Sequence, residues 1–443
     1  MNDAPPSAQQ HRIAGQAAED ATRWDDAVRE YEAALSIITA GDAPDEDEAA
    51  LLTALGRCYW NLSEARPAWR TLRRAITLYQ QRGDGIGQAN ATAEISRIWG
   101  PPDRQQAMAQ EALAALGDGD PYLRAKLLLR IRWFDENPDE KFDEAIAIGE
   151  KHGYPDILAT RTERDAWFAM DDARVDEAVT LFDRAHDEYA SARAYDGAAG
   201  VLRNISYNLI ETGMLDRGYA LSQRTVDYAS SVNLRFTAQL ALMDMAGVLY
   251  ARGEHDRCEA LIAGTPGESD FRSDLYRMWI AEARGDIDGA LRFMVSPERG
   301  GKATTAVGQI HASSAGLLFR AGRIEAAREA LQAWVSVERR GDDYLTHEST
   351  ALRECILALG DDDLMRSLRA GFRSREERIK LPLVFSTLQG RCFAPLRAGV
   401  ALRLGLTDEA AALLRDGLTW CEEQRCRADA DICRTMLATI GKT

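Results

Sequence analysis

A short phrase returns along this chain at intervals of about 40 residues. In each copy a turn leads into an acidic residue, an alanine and, four positions later, an apolar residue. Clear copies begin at Thr22, Ala173, Ala321 and Leu404. Because the apolar spacing inside each copy is that of an amphipathic helix, the repeat is typical of stacked helical arrays. Such arrays present extended binding surfaces, so the repeat favours binding over catalysis.

The alanine of the phrase marks the register of the repeat, because two helices approach closely only where one side chain is small. The marks are Ala27, Ala68, Ala107, Ala145, Ala178, Gly218, Cys258, Ala290, Ala327, Met365 and Ala410. A glycine five residues before a mark predicts a helix that ends in a left-handed residue. These glycines are Gly213, Gly253, Gly285, Gly322, Gly360 and Gly405.

Two repeats share small, small, large and small residues separated by 12, 4 and 3 positions. They are Gly15, Ala27, Tyr31 and Ala34, and then Gly56, Ala68, Leu72 and Ala75. This pattern resembles the tetratricopeptide repeat (TPR). The resemblance implies an all-α fold, a right-handed α-α superhelix of about eleven TPR-like helical hairpins. The register stays open in residues 85–150 and 342–385, where helical spacing alone supports the repeat.

Three segments follow from this pattern. Residues 1–8, which include two prolines, are expected to be disordered. The helical-repeat array is expected over residues 9–427. Residues 428–443 carry one apolar stripe, through Ile432, Met436 and Ile440, and are expected to form a helix that caps the end of the stack.

The long repeat and the opening segment HRIAGQAAEDATRWDDAVREYEAAL also resemble the sensor region of large bacterial signalling ATPases and LuxR-type regulators. In those proteins the repeats follow a nucleotide-binding domain, which this sequence lacks. The resemblance implies an alternative to a stand-alone scaffold. The chain would then be a ligand-responsive regulatory region whose catalytic or DNA-binding domain lies elsewhere.

Charge and composition exclude several classes of function. The 70 acidic and 54 basic residues give a net charge of −16, which disfavours direct nucleic-acid binding. No apolar run is long enough to predict a membrane span, and the N-terminus does not resemble a signal peptide. The seven cysteines are irregularly spaced, which predicts reduced thiols in a cytoplasmic protein.

No sequence motif predicts catalysis. There is no HExxH or GxSxG sequence, and the glycine-rich stretch Gly83–Gly87 follows a predicted helix rather than the strand that a phosphate loop requires. Cys421, Cys426 and Cys433 lack the spacing of a zinc site. We therefore expect no enzymatic activity, no cofactor and no metal.

The candidate site comes from carrying the register of Gly56 along the first helix of each hairpin. Eight successive positions are then aromatic, with polar residues close by on the same helices, as peptide or small-ligand recognition requires. They predict a concave face that binds a protein or peptide, with a small-molecule effector as the alternative. A shift of one residue would make the same positions packing sites. The set is Trp60, Trp99, Phe134, Trp167, Tyr207, Tyr250, Trp279 and Phe319, with Arg130, Glu163, Arg203, Asn204, Asn208 and Gln309.

Overall fold

The computed structural model describes residues 6–41, 47–98, 102–131, 138–263, 271–296, 304–338, 350–378, 385–386 and 391–441. Within these ranges the chain forms 23 α-helices and one two-stranded sheet. Alanine-rich segments with few β-branched residues favour helix, and apolar stripes give each helix a face to bury. The all-α class is confirmed.

The twelve helices described up to residue 231 are 11 to 18 residues long. They are α1 (Ala8–Asp20), α2 (Trp24–Thr39), α3 (Glu48–Asn61), α4 (Ala65–Arg82), α5 (Gly85–Ile95), α6 (Pro102–Leu116), α7 (Pro121–Ile131), α8 (Pro138–His152), α9 (Pro155–Asp171), α10 (Val175–Ser191), α11 (Tyr195–Glu211) and α12 (Leu215–Ser231).

The second half continues the alternation and ends in one additional helix. Its helices are α13 (Arg235–Ala251), α14 (His255–Ala263), α15 (Phe271–Ala283), α16 (Ile287–Arg292), α17 (Thr304–Arg320), α18 (Ile324–Glu338), α19 (Thr350–Leu359), α20 (Asp362–Arg378), α21 (Ala394–Arg403), α22 (Thr407–Glu423) and α23 (Arg427–Ile440). The described helices therefore form eleven successive pairs and a final helix.

The TPR-like packing of the first two hairpins is visible in atomic contacts. A Cβ atom on Gly15 would lie 2.6 Å from the Tyr31 ring, and one on Gly56 would lie 2.4 Å from Leu72 Cγ. Ala27 and Ala68 are fully buried. The small residues thus let the two helices of a hairpin approach, with a large side chain of the second helix over each glycine. The TPR prediction is confirmed.

The predicted left-handed helix ends are confirmed with one exception. Gly360 does not have a positive φ. It ends α19 through close approach instead, because a Cβ there would lie 2.6 Å from the carbonyl oxygen of Ile356. The glycines with positive φ are Gly213, Gly253, Gly285, Gly322 and Gly405.

One register mark is wrong. Ala107 is exposed, whereas Ala109 and Ala112 of the same helix are buried against Leu123 and Leu127 of α7. The repeat in α6 is therefore displaced by about two residues. This helix lies in the stretch where only helical spacing supported the register.

The chain divides into two compact units. Unit 1 comprises Met1–Arg164, Arg184–Ala199 and Asp227–Ala238, and unit 2 comprises Asp165–Asp183, Gly200–Val226 and Gln239–Thr443. Each unit has its own apolar clusters, such as the one around Leu72 and Tyr79 in unit 1 and the one around Trp334 and Phe372 in unit 2.

Unit 1 contains a contact between turns that lie about 210 residues apart in the chain. The Trp24 indole donates a hydrogen bond to the Val232 carbonyl at 3.1 Å, and Asn233 Nδ2 donates to the Thr22 carbonyl at 2.9 Å. The Trp60 ring packs against the Phe236 ring at an angle of 45°, with centroids 4.9 Å apart. The turn between α12 and α13 is therefore part of the packing of the first hairpins.

Unit 2 contains an equivalent long-range contact. The Trp420 indole donates to the Gly213 carbonyl at 3.0 Å, and Arg252 Nε donates to the Gln424 carbonyl at 3.2 Å. In both units a tryptophan indole satisfies a carbonyl at a helix end, where the last carbonyls lack partners within the helix.

The segment before α21 contains strand where the repeat pattern predicts helix. Strands β1 (Phe385–Ser386) and β2 (Arg391–Cys392) pair in antiparallel register, with Phe385 opposite Cys392. The buried Asp429 holds β2, since it pairs with Arg391 Nη1 at 3.3 Å and accepts from the Cys392 amide at 3.0 Å. These bonds between β2 and the Asp429 side chain of α23 compete with the formation of helix at Arg391 and Cys392.

The two predicted ends are described in part. Residues 1–5 lie outside the described residues, and Ser7 caps α1 by accepting a hydrogen bond from the Gln10 amide. Helix α23 packs on α22, with Met436, Leu437 and Ile440 against the apolar cluster of Cys421.

Candidate functional site

Helix α11 carries a stripe of partly exposed polar side chains, Arg203, Asn204, Tyr207 and Asn208. Their spacing along the chain places them on one face of the helix. The opposite face is buried and apolar, and it includes Leu202, Ile205 and Leu209. We call these four polar residues the α11 stripe. The structure thus brings together four residues of the predicted site within unit 2.

Hydrogen bonds fix two members of the stripe. Arg203 donates to both carboxylate oxygens of Asp244 on α13, at 3.1 and 3.4 Å, and its guanidinium lies over the Tyr207 ring at 4.6 Å from the centroid. The Tyr207 hydroxyl donates to Glu211 at 2.6 Å. Two-point contact with a carboxylate holds a guanidinium in one orientation.

Burial shapes the ionisation of these groups. It raises the pKa of Tyr207 well above its usual value, and Glu211 adds to that shift. Burial also raises the pKa of Asp244, although the Arg203 guanidinium opposes that change. The Tyr207 phenol therefore stays protonated, as a hydrogen-bond donor, even at alkaline pH values where an ordinary tyrosine ionises.

The two asparagines of the stripe keep hydrogen-bonding capacity. Asn208 Nδ2 donates to the backbone carbonyl of Asn204 at 2.9 Å. Within the described part of the chain, neither the Asn204 amide group nor Asn208 Oδ1 has a partner. Since a side-chain amide both donates and accepts, this pair suits the backbone of an extended peptide.

Gly200 lies one turn before Arg203 on the same side of α11. Apart from its two chain neighbours and the backbone of its own helix, no described atom lies within 4 Å of the position that a Cβ would take there, and its φ is not positive. A glycine inside a helix costs about 0.5–1 kcal/mol relative to alanine, and here neither packing nor backbone conformation explains it. The space above Gly200 allows another chain to approach the helix closely. Sequence reasoning missed this residue.

Trp167 of α9 is half-buried in unit 2. Its ring meets the Phe182 ring edge-on, with centroids 5.0 Å apart. The neighbouring Phe168 is 51% exposed. Trp167 therefore offers part of an aromatic face while the rest of its ring packs within the hairpin.

Three of the predicted aromatic residues are buried in the cores of their units. Trp60 belongs to the apolar cluster of α3 and α4, and Trp279 is only 1% exposed. Tyr250 is also buried, and its hydroxyl accepts from Arg391 and donates to the Trp279 carbonyl. Their rings pack against neighbouring side chains and present no exposed surface to a ligand. The half-buried Phe319 packs against the core cluster of Trp334.

The remaining predicted positions belong to unit 1 or to the core. Arg130 is exposed and has no ion-pair partner among the described residues. Glu163 accepts a hydrogen bond from the Tyr189 hydroxyl at 2.9 Å. Gln309 is buried. Trp99 and Phe134 lie outside the described residues.

Sequence reasoning also missed a row of charges across α1, α3 and α5 of unit 1. Arg57 pairs with Glu19, and its Nη1 lies 3.6 Å from Glu94 Oε1. Glu94 in turn pairs with Arg97 at 2.8 Å, and Arg97 Nε lies 3.2 Å from Asp196. Burial opposes the charged form of Glu94, but Arg97 and Arg57 lower its pKa to about 2. Glu19, Arg57 and Glu94 are separated by 38 and 37 residues, which is close to the repeat period. This spacing of opposite charges is the sequence signal that could have revealed the row.

Other kinds of site lack support in the described part of the chain. No group of three or more His, Cys, Asp or Glu side chains is placed to hold a metal ion there. All seven cysteines are buried and free of disulfides. Among the helices that the structure describes, none has the length and apolar character to cross a membrane.

Comparisons with known proteins return structural likeness only. No protein-family model and no curated protein matches the chain. Among solved structures, a Rap protein complexed with competence and sporulation factor is 14% identical, with 90% of this chain and 98% of that chain covered and a TM-score of 0.40. Yeast Tom70 is 13% identical, with 97% and 96% covered and a TM-score of 0.32. The P58(IPK) TPR domain is 13% identical, with 98% and 99% covered and a TM-score of 0.29.

The fold itself is TPR-like, as its own helices and their contacts show. Its helical hairpins, with a glycine under a large side chain in the first two, carry that conclusion. The resemblance to the sensor region of bacterial signalling ATPases stays a prediction.

Proposed function

We propose that this protein is a non-catalytic interaction scaffold that binds a peptide or protein segment across the α11 stripe of unit 2. The observation that carries the proposal is the combination of Asn204, Asn208 and Gly200 on one side of a single helix. The asparagine amides offer hydrogen bonds, and the open space over Gly200 admits a second backbone.

The aromatic and charged members of the stripe add to this surface. Tyr207 is partly exposed, and large rigid side chains contribute much of the binding energy in protein interfaces. Arg203 is held by Asp244, so its orientation is set before a ligand arrives. A surface that is already ordered loses less entropy on binding than a flexible one.

The test begins with selection of peptides from a displayed random library on the intact chain. The affinity of a selected peptide is then measured for the wild type and for the Asn204→Ala/Asn208→Ala variant. Loss of two hydrogen bonds of about 0.5–1.5 kcal/mol each predicts affinity lowered by roughly five- to 150-fold.

Gln332→Ala is the matched control, since Gln332 is an exposed amide on α18 of the same unit. This variant should bind within about twofold of the wild type, because a substitution away from the surface removes no contact with the peptide. Both variants should unfold at the wild-type temperature. Equal affinity of the double variant and the wild type would place the binding surface elsewhere.

A further inference from the structure

An open cleft lies on unit 1, between the turn that joins α6 to α7 and the C-terminal half of α8. Its volume is about 350 Å³, which is within the range of about 300–1,000 Å³ that small-molecule sites occupy. One wall is the turn, residues 117–121, and the other is formed by five residues of α8. Pro121, Ala147 and Ile148 supply apolar surface. We call the two sides the turn wall and the α8 wall.

The turn wall carries two carboxylates on a backbone that glycines define. Gly117 has a φ of +54°, and a Cβ on Gly119 would lie 2.9 Å from the Leu116 carbonyl oxygen. Asp120 caps α7 through Oδ1, which accepts from two backbone amides at 2.8 and 3.1 Å. Asp120 Oδ2 and the whole Asp118 carboxylate have no partner among the described residues. This wall therefore offers acceptor oxygens and negative charge.

The α8 wall carries two nitrogen donors. Lys151 and His152 occupy the last turn of α8 and are exposed, and in the described part of the chain neither has a hydrogen-bond or ion-pair partner. The His152 ring stacks on the Tyr154 ring, with centroids 5.5 Å apart and an angle of 10° between the planes. Tyr154 in turn meets the Tyr122 ring edge-on at 5.1 Å. The imidazole is thus held in place, and this wall offers donors and positive charge.

The remaining charges of the lining cancel each other. Arg124 Nε and Nη2 donate to Glu144 Oε1 at 2.9 and 2.5 Å. The charges left over are separated by sign, with the two aspartates on the turn wall and the lysine and histidine on the α8 wall. A molecule with one sign of charge would be repelled by one of the walls. A molecule with an amine at one end and a carboxylate at the other complements both.

We propose that this cleft binds a small zwitterion, either an amino acid or a short peptide. Its ammonium group donates to the two aspartates of the turn wall, and its carboxylate accepts from Lys151 and His152. Pro121 and Ile148 contact the atoms between the two charged ends. The site lies apart from the α11 stripe, which belongs to unit 2, and does not rest on the proposed function.

The test titrates the intact ²H,¹⁵N-labelled chain with glycine, diglycine and triglycine and follows the backbone amide signals by NMR. Each added residue moves the two charges of the probe further apart by about 3.5 Å, so the three probes cover a range of charge separations. We expect saturable shifts at residues 117–121, Lys151 and His152. Tightest binding by glycine would name an amino acid as the ligand, and tightest binding by a longer probe would name a peptide.

Probes that lack one charge test the zwitterion itself. N-acetyldiglycine has no amine, and diglycinamide has no carboxylate. Each should bind about fivefold more weakly than diglycine or worse, because the lost contact is intermediate between an exposed ion pair and a hydrogen bond to a buried charge. Binding of either probe as tightly as diglycine would overturn the proposal.

Variants of the two walls complete the test. Lys151→Ala and Asp118→Ala should each weaken the tightest probe about fivefold or more, since each removes one charged partner of the ligand. Lys141→Ala is the matched control, because Lys141 lies on α8 outside the cleft, and it should bind within about twofold of the wild type. All three variants should unfold at the wild-type temperature. No saturable shift with any of the three zwitterions, or unchanged affinity in either wall variant, would overturn the proposal.

Discussion

Single glycines occupy two kinds of position in the helices of this protein. Gly56 lies under the Leu72 side chain, whereas Gly200 faces open space. Both lie in helix interiors, where glycine is costly. The Leu72 side chain occupies the space over Gly56, whereas no described neighbour occupies the space over Gly200.

The two glycines should respond in opposite directions to the same substitution. Gly56→Ala should destabilise the folded chain by about 1–3 kcal/mol, because the added methyl group overlaps Leu72. Gly200→Ala should stabilise it by about 0.5–1 kcal/mol, because helix propensity rises and nothing is displaced. Thermal unfolding of the two variants measures both effects. Destabilisation by Gly200→Ala would show that the space above it is filled.

Residue chemistry explains which of the predicted site residues stay at the surface. Arg203, Asn204 and Asn208 stay partly exposed on the first helix, because polar side chains are rarely buried without partners. Trp60 and Trp279 enter the core instead. Each step of one residue along a helix turns the side-chain direction by about 100°, so a shift of one position moves a residue between the exposed and the buried face. Aromatic rings occur on both faces, so the repeat pattern does not distinguish an exposed aromatic residue from a buried one.

At the level of helices, opposite charges at the repeat spacing link neighbouring hairpins. In unit 1 the row of Glu19, Arg57, Glu94 and Arg97 connects α1, α3 and α5. Removing one member would leave its partners charged and partly buried, which is strongly destabilising.

The low pKa of Glu94 predicts a specific acid sensitivity. Its pKa is about 2 in the folded chain against an ordinary 4.5, so its stabilising effect is present above pH 4.5 and is lost as the pH falls toward 2. That effect amounts to about 3 kcal/mol. Between pH 5 and pH 3 the stability of the wild type should fall more steeply than that of Glu94→Gln.

Glu150→Gln supplies the comparison, because Glu150 pairs with Arg161 at an exposed site of the same unit. Exposed pairs contribute little, so this variant should follow the wild type at both pH values. Parallel curves for the wild type and Glu94→Gln would show that Glu94 gains nothing from its arginines.

Helix boundaries could be predicted closely where a turn glycine or acidic cap punctuates the repeat. They could not be predicted where tertiary contacts decide. The strand at Arg391 depends on Asp429, which lies 38 residues away. Likewise, the displaced register of α6 reflects packing on Leu123 and Leu127, which the spacing of α6 does not encode.

At the scale of the whole chain, the repeat period predicts the number of hairpins but not which distant turns meet. Trp24 reaches Val232, and Trp420 reaches Gly213. Neither contact leaves a signal in local spacing, since each joins turns about 210 residues apart. A net charge of −16 is consistent with a scaffold that binds through a few placed polar groups rather than through general attraction to nucleic acid.

We propose that a ligand lies over Gly200 on the α11 stripe. The most direct measurement fills that space with a large side chain, Gly200→Trp, and compares the affinity of a selected peptide for this variant and for the wild type. The control is Gln332→Trp on the exposed side of α18. We predict that Gly200→Trp folds but binds the peptide about tenfold more weakly or worse, and that Gln332→Trp binds within about twofold of the wild type. Unchanged affinity of folded Gly200→Trp would contradict the proposal.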